Sequence, residues 1–466
     1  MQEKVGVGLN LSTGFLMQVK MLRDAWTLAI ETLSWIELQR LGERLALNRA
    51  AKQLRIKDPK AIGLAHRLVT ETLRKKNYID FLINSALAPR SLNDFKLGPR
   101  AFLRLYVHET NMMDEPLEKA ARIARMGRSI LGWRELNDVE EVLGKILSIN
   151  PDSALKGLDE VEKVGLLTYH PPWFVKYCFR LLGRQEALRF LEKATEIPPT
   201  YVRLNTLKAP EETLHKKIED EKVVLEKVQQ LKHTYRLVQS KKTLTRTESF
   251  RQGLFYLQDK ASCLAAEISD PKVGTTVFDV CAAPGAKTTY LAQLMENRGE
   301  IISVDYSKRR IKVWKGETER MGTKIASPIV TDARKPLPLN LLADLVILDP
   351  PCTSTGTFGK TPDAKWRLTK RSILGMAKIQ GEMIEHCAEY TKEGGFLVYS
   401  TCSITVEENE MVVERFLKLH PEFQLVDAVP RIGLPGLRGL IKCQRLYPHI
   451  HECNGFFVAK LMKEKA

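Results

Sequence analysis

The sequence predicts a multidomain chain: an all-α N-terminal part, a small α+β unit, and a C-terminal α/β domain on a parallel, doubly wound sheet. Three observations predict it. The 466 residues suit about three domains at roughly 150 residues each. Hydrophobic spacing is helical through residues 21–150, where Trp26, Ala29, Ile30 and Leu33 recur on one face, as do Leu64, Leu68 and Thr72 further on. From Lys260 onward, short apolar runs rich in branched side chains alternate with helical stretches, as parallel strands joined by crossover helices do.

Residues 1–20 read as an irregular N-terminal extension, with Met17 and Met21 close behind as alternative starts. The helical stretch 21–150 is dense in Arg49, Lys52, Arg55, Lys57, Lys60, Arg67, Arg74, Lys75 and Lys76. Such a run is either a solvated helix face or a surface that contacts phosphates. Residues 151–170 read as a linker, and Pro171, Pro172 and Trp173 open a new segment that reads as amphipathic helices around 174–196. Short β-rich stretches follow at Tyr201–Leu204, Thr234–Val238 and Leu254–Leu257, around a charged helix expected from Pro210 to Lys227. The parallel strands are expected at Thr275–Val280, Glu300–Val304, Ser327–Val330, Leu345–Leu348 and Gly395–Tyr399, with one more at Phe456–Leu461. The division is therefore 1–20, 21–150, 151–259 and 260–466.

Composition narrows the function. Lys and Arg number 72 against 56 Asp and Glu, a net charge of +16. A polyanion partner is expected, nucleic acid before acidic membrane, against the alternative of a merely solvated basic surface. No run of 18 apolar residues and no secretory pattern occurs, so a cytosolic location is expected. None of the eight cysteines is spaced C-x-x-C, which disfavours zinc ribbons and thioredoxin chemistry. No metal is expected, and the cysteines are read as thiols.

The first candidate site follows the first parallel strand: Asp279-Val280-Cys281-Ala282-Ala283-Pro284-Gly285-Ala286-Lys287-Thr288. A strand, a tight turn of small residues and a helix bring backbone N–H groups to a ligand. Ala286 before Lys287 breaks the phosphate-loop pattern, as Ser354 does for Gly359-Lys360-Thr361, and no nicotinamide fingerprint is present. Asp305 ends the second strand, where a carboxylate binds the ribose hydroxyls of an adenosine-containing cofactor. Asp332 follows the third, where it could accept from an adenine amino group. Each singly is an ordinary strand-end carboxylate or helix cap; together they favour a ligand site. The fourth strand ends in Asp349-Pro350-Pro351-Cys352 and the fifth in Ser400-Thr401-Cys402-Ser403. Strand-end placement favours exposure over core packing, so at least one of the two cysteines is read as catalytic.

These motifs resemble the RNA cytosine-5 methyltransferases of the Sun/Fmu (RsmB-like) family. The resemblance rests on DVCAAPGAKTTYLA, on Asp305 with Arg310 five residues on, on the D-x-P-C form at Asp349–Cys352, on LVYSTCSITVEENE and on the terminal GFFVAK. It implies a Rossmann-like methyltransferase domain over 260–466. Upstream, Arg203-x-Asn205-Thr206 and Gly253…Gln258-Asp259 resemble the family's small RNA-recognition-like subdomain, and 21–150 is similar to the NusB-like RNA-binding domain of some members.

The resemblance implies S-adenosylmethionine as cofactor and RNA as partner, ribosomal RNA before transfer RNA, for a protein acting as a monomer. It makes Cys402 the nucleophile that attacks carbon 6 of a flipped-out cytosine, and Cys352 the residue that assists product release. Asp349 would hold the cytosine edge and border the methionine amine. Lys287 would help lower a thiol pKa electrostatically. Cys281, Ala282, Ala283, Pro284, Gly285, Ala286 and Lys287 would form the loop under the cofactor's methionine, with Asp305 at the ribose, Asp332 at the adenine and Arg310 bracing Asp305 or the cofactor edge. Departures are Ala286 for a frequent Gly, Pro350 for a small residue, Asn454 for a frequent Asp before Gly455, and no PUA-like insertion. The rival readings are an amino-group methyltransferase, which would place an aromatic residue where Cys352 stands, a non-catalytic NusB-like RNA-binding factor, and a DNA cytosine methyltransferase.

Overall fold

The structure, a computed structural model, describes residues 5–113 and 117–465, with side chains from residue 16 onward except at 151. The chain divides into two compact units: Met1–Thr195 with Thr361–Arg367, and Glu196–Lys360 with Leu368–Ala466.

The first unit is helical. Its long helix Val5–Gln39 includes most of the stretch expected to be irregular. No proline interrupts 5–20, and a helix already formed propagates at little cost per residue; residues 1–4 lie outside the described residues. The helices Pro59–Arg74, Lys76–Leu87 and Leu97–Thr110 pack with it around Trp26, Leu33, Leu68, Ile79, Phe102 and Leu105. Asp58 caps Pro59–Arg74 by accepting from the Lys60 amide at 2.9 Å, with Pro59 in the first turn where its missing N–H costs nothing. Arg104 is buried and forks onto Asp80 (2.6 Å) and Glu37 (2.6 Å).

The expected linker at 151–170 is helical instead. Asp159 caps the helix Glu160–Leu167, and Asn77 donates to the Gly165 carbonyl at 2.7 Å. The helices Pro172–Leu182 and Arg184–Lys193 bury Phe174, Cys178, Phe190 and Leu191 and belong to this unit. Local signals such as the Pro-Pro pair marked a turn; packing made the segments on either side one body. The segment Thr361–Arg367 completes the unit. Buried Lys365 donates to the carbonyls of Arg74 (2.9 Å) and Tyr169 (2.8 Å), and Trp366 to that of Leu73 (2.6 Å). The Leu73 and Arg74 carbonyls are among those that the end of Pro59–Arg74 leaves open.

The second unit holds two sheets. The first is antiparallel, with β1 (Tyr201–Leu204), β2 (Val223–Lys227), β3 (Thr234–Ser240) and β4 (Phe255–Leu257) in the order β2-β3-β1-β4. The helix expected from Pro210 to Lys227 covers only Glu211–Asp220. Lys222 turns the chain at φ +61°, and Val223 and Leu225 then alternate inward as a strand. One sheet face packs Val202, Leu204 and Phe255 on Leu214 and Ile218. The other carries fully buried Arg203, which donates to Gln258 (2.9 Å), Thr289 (2.8 Å) and Gln293.

The second sheet contains β5 (Thr276–Val280), β6 (Glu300–Asp305), β7 (Ala326–Val330), β8 (Ala343–Leu348), β9 (Thr391–Thr401), β10 (Phe423–Val426), β11 (Leu434–Pro435), β12 (Gln444–Leu446) and β13 (Phe456–Lys463). Its order is β11-β12-β13-β9-β8-β5-β6-β7, with β10 on β13. The five expected strands β5 to β9 are parallel, and β13 runs antiparallel beside β9. Alternate residues fill two cores: Phe278, Val346 and Leu348 on one face, Val277, Leu345 and Ile347 on the other. Burial on both faces explains why these strands read as continuous apolar runs. The order reverses between β5 and β8, so their carboxyl ends open a crevice where such sheets bind ligands. Among the described residues no helix is long and apolar enough to cross a membrane, and no cluster of three metal-ligating side chains occurs.

Candidate active site

The turn after β5 wraps over the neighbouring strand. The amides of Cys281 and Ala282 both donate to the Val304 carbonyl (2.8 and 3.0 Å). Gly285 has φ +111°, and a Cβ there would stand 3.2 Å from Trp314, so only glycine carries this turn without strain or a shift of the indole. The helix Ala286–Leu294 then begins, placing Lys287 in its first turn. Asp279, buried beneath the turn, accepts from the Thr288 hydroxyl, and burial pushes its carboxyl up to about 6.

A cavity of about 220 Å³ lies beside this turn. Asp305, Asp332, Arg310 and Cys281 line it together with Tyr306 and the apolar Val304, Pro351, Ile379 and Met383. Asp305 accepts from the Ala283 amide (3.3 Å) and the Ser307 amide (3.1 Å) and pairs with Arg310 at 3.1 Å. Arg310 also donates to the Ala283 carbonyl, tying the acid to the turn. Asp332 is gripped by Arg334 through two bonds, at 3.0 and 2.6 Å, which hold its carboxyl below the usual range. Two carboxylates thus border one cavity from two strand ends.

Asp349, Lys287, Cys352 and Cys402 form a second cluster. Buried Lys287 donates to Asp349 Oδ2 at 2.5 Å, and Ser400 to Asp349 Oδ1 at 3.2 Å. Burial is the largest single influence on the Lys287 ammonium and works against it, but the Asp349 charge and hydrogen bond, with the Asp279 and Cys402 charges, together outweigh burial and raise its pKa. Cys352 and Cys402, 50 residues apart in sequence, bring their sulfurs to 3.1 Å. The pair is electrically unequal. The hydrogen bond from Cys352 is the largest influence on Cys402 and lowers its pKa against the effect of burial. The same bond, with burial and the Glu408 charge, raises Cys352 well above the ordinary thiol range. Of the two sulfurs, Cys402 is the one whose surroundings favour loss of the proton and Cys352 the one whose surroundings retain it. Lys287 favours that thiolate, but the Asp349 charge opposes it by more, so its electrostatic help is secondary.

Sequence reasoning missed the bracing of the two thiol-bearing turns, although it quoted the run Glu408-Asn409-Glu410. Fully buried Glu408 accepts from the Thr353 amide (2.8 Å) and hydroxyl, Ser403 (2.7 Å), Thr405 (2.8 Å) and Gln380 (3.0 Å). It thereby joins the residue after Cys352 to the residue after Cys402. Asn409 accepts from Thr401 (2.6 Å) and donates to the Ser403 carbonyl (2.9 Å). Glu410 pairs with Arg445 through bonds of 2.5 and 2.7 Å, both side chains buried, and Arg445 also holds the Ile404 carbonyl at 3.0 Å. The available signal was three polar side chains leading into an apolar helix. Replacing Arg445 by leucine strands the Glu410 charge and is expected to destabilise the unit by about 3–5 kcal/mol. The thermal midpoint should fall by roughly 10 °C; an unchanged unfolding curve would sink this account.

The sheet, its reversal point and the cavity define a Rossmann-like methyltransferase fold. Residues 266–462 match the family described as 16S rRNA methyltransferase RsmB/F. Over 448 residues the chain is 29% identical to the probable ribosomal RNA small subunit methyltransferase B of Bacillus subtilis, covering 94% of this chain and 98% of that one. It is 39% identical over 223 residues to the tRNA (cytosine(72)-C(5))-methyltransferase of Pyrococcus horikoshii, covering 48% of this chain and 56% of that one. The crystal structure of PH0851 aligns at 31% identity with a TM-score of 0.80, over 95% of this chain and 99% of that one. The chain belongs to the RsmB/F family of RNA cytosine-5 methyltransferases.

Proposed function

We propose that the protein methylates carbon 5 of a cytosine in structured RNA, ribosomal RNA before transfer RNA, through a covalent Cys402–cytosine adduct. The observation that carries this reading is the unequal thiol pair, Cys352 and Cys402 with their sulfurs 3.1 Å apart and the proton favoured on Cys352. Carbon 5 of cytosine is a weak nucleophile. Attack of the Cys402 thiolate on carbon 6 forms a C–S bond and moves the ring's double-bond electrons onto carbon 5, which would take the methyl group of a sulfonium donor as its S–CH3 bond breaks and the donor leaves as a neutral thioether. Transfer of the carbon 5 proton to water reforms the double bond as the C–S bond breaks and returns the thiolate. Cys352, within reach of the same sulfur, serves the release half of the cycle, and the Asp349 carboxylate is available to the cytosine edge.

The residues lining the cavity fit S-adenosylmethionine. Asp305 suits the ribose hydroxyls and Asp332 the adenine amino group, with Val304, Pro351, Ile379 and Met383 offering an apolar wall. The turn Cys281–Lys287, where Gly285 lets the backbone come close, suits the methionine part. Bound there, the cofactor would supply an electrophilic methyl group.

The antiparallel sheet order β2-β3-β1-β4 supports the RNA-recognition-like reading of the small subdomain. Buried Arg203 gives its second face another task, holding Thr289 and Gln293 on the helix that follows the cofactor turn. The helical unit, read as NusB-like, presents exposed Lys52, Arg55, Lys57, Lys60 and Arg67, whereas Arg74 of the same run is buried. Replacing Arg55, Lys57, Lys60 and Arg67 together by alanine is expected to weaken RNA binding. The slope of log affinity against log salt should flatten by about 0.7–0.9 for each phosphate these side chains neutralise in the wild type. An unchanged slope would remove these residues from the interface. The rRNA relative matches along nearly its whole length, which favours ribosomal RNA. Bisulfite mapping of total RNA with and without the protein tests the proposal: a cytosine whose protection depends on the protein supports it, and no such position in any RNA refutes it. An amino-group methyltransferase is disfavoured by Cys352, which stands where a base-stacking aromatic side chain would be needed.

A further inference from the structure

Both faces of the antiparallel sheet are filled. Tyr201, Arg203, Thr234 and Tyr256 share one face and are buried; Val202, Leu204, Tyr235 and Phe255 share the other and are buried too. Sheets of the RNA-recognition kind stack bases on aromatic side chains of an open face, and that mode is closed here. Open ground lies instead at the far end of β3. β1 reaches only to Tyr201, opposite Arg236, and the last bond on that side runs from the Leu237 amide to the Thr200 carbonyl at 2.8 Å. Beyond it, β3 has β2 on one side and, among the described residues, no strand on the other. The β2 ladder slips at the same place. Leu225 stands opposite Leu237 and Val224 opposite Gln239, which leaves Val238 unmatched and 59% exposed. Bulges of this kind re-aim side chains and gather beside functional sites.

A cleft of about 420 Å³ occupies this notch. Leu237, Val238, Leu244 and Leu257 give it an apolar lining, and exposed Thr200, Thr243 and Thr245 add hydroxyls. No acidic residue lines it, whereas Lys242 does, with exposed Lys241 next in the chain. Ser240 fixes the turn that carries both lysines by donating to the Lys242 carbonyl at 2.6 Å. Glu221, whose carboxylate feels the Lys242 charge, is already held by the amides of Glu248 and Ser249, each at 2.8 Å. An apolar cleft ringed by polar groups is the anatomy of a ligand site, and cations without lining acids suit an anionic ligand.

We propose that this cleft binds one unpaired nucleotide of the RNA substrate. The base lies against Leu237, Val238 and Leu257, the threonine hydroxyls and the Gln239 amide meet the ribose and the base edge, and Lys241 and Lys242 take the flanking phosphates. This rests on RNA being the substrate. A paired base is stacked within its helix and has no face to give to an aliphatic floor, so the site selects single-stranded segments.

Equilibrium binding of single-stranded oligouridine carrying photoreactive thiouracil, with an RNA duplex beside it, tests this in the full-length protein without cofactor or turnover. Crosslinks located by peptide mass spectrometry should include residues 237–245. Lys241→Ala combined with Lys242→Ala should weaken single-strand binding roughly tenfold at low salt and flatten the slope of log affinity against log salt by about 0.7 for each lysine. Val238→Asn should weaken the single strand severalfold and leave the duplex unchanged. All three side chains are exposed, so the variants should unfold at the wild-type temperature; in turnover they should raise KM for RNA and keep kcat. Crosslinks absent from 237–245, or a single-strand affinity that no variant changes, overturn the site and leave the methylation reading standing. Equal losses for single strand and duplex in Val238→Asn, or displacement by polyglutamate as readily as by oligouridine, overturn the assignment to an unpaired nucleotide. A wild type that binds neither RNA overturns the site and the methylation reading together.

Discussion

Cys402→Ala is expected to lower RNA methylation by at least about 10³-fold, the scale on which covalent catalysts lose rate without their nucleophile. Cys402 does not line the cavity that holds Asp305 and Asp332, so cofactor binding measured by titration should be unchanged. The loss should appear in kcat, with no compensating fall in KM, because the sulfur acts only once the base is in place. Its partner cannot substitute: burial, the Cys402 bond and the Glu408 charge keep Cys352 protonated. A variant that lacked the Cys402 sulfur and still turned over at the wild-type rate would end the covalent account.

Cys352→Ala should separate the two halves of the reaction. Addition needs only Cys402, while release is assigned to the Cys352 side chain. The expected result is a protein–RNA species that survives denaturing electrophoresis and accumulates in proportion to enzyme, with methylated product falling well below one turnover. The same substitution removes the largest influence holding the Cys402 thiol below its usual range. Adduct formation should therefore be slow near neutrality and speed up as pH rises. The direction is set by the thiolate, whose population in Cys352→Ala requires a higher pH than in the wild type. Absence of an adduct at every pH, with cofactor and RNA still bound, would remove Cys352 from the release step.

The parallel strands were readable because both faces are buried, which leaves a continuous branched apolar run in the sequence. The strand ends were readable too, since Asp305, Asp349 and Cys402 each follow such a run directly. The late strands β10, β11 and β12 escaped notice: they are short, and β11 is the pair Leu434–Pro435, whose residues are exposed. The linker expected at 151–170 failed for a different reason. Pro171 and Pro172 mark where a helix must break, but nothing local says whether the helices on either side pack into one body.

For the site, spacing and residue type alone determined which side chains stand at the carboxyl edge and that a turn of small residues precedes Lys287. Tertiary structure alone decided that Cys352 and Cys402 meet, that their surroundings differ so that Cys402 is the more readily ionised, and that Glu408 braces both turns. Periodicity and turn chemistry act over a few residues and leave their mark in the chain. The distance between two sulfurs, and the field each feels, depends on β9 lying beside β8; that neighbour relation is set by the packing of the whole sheet.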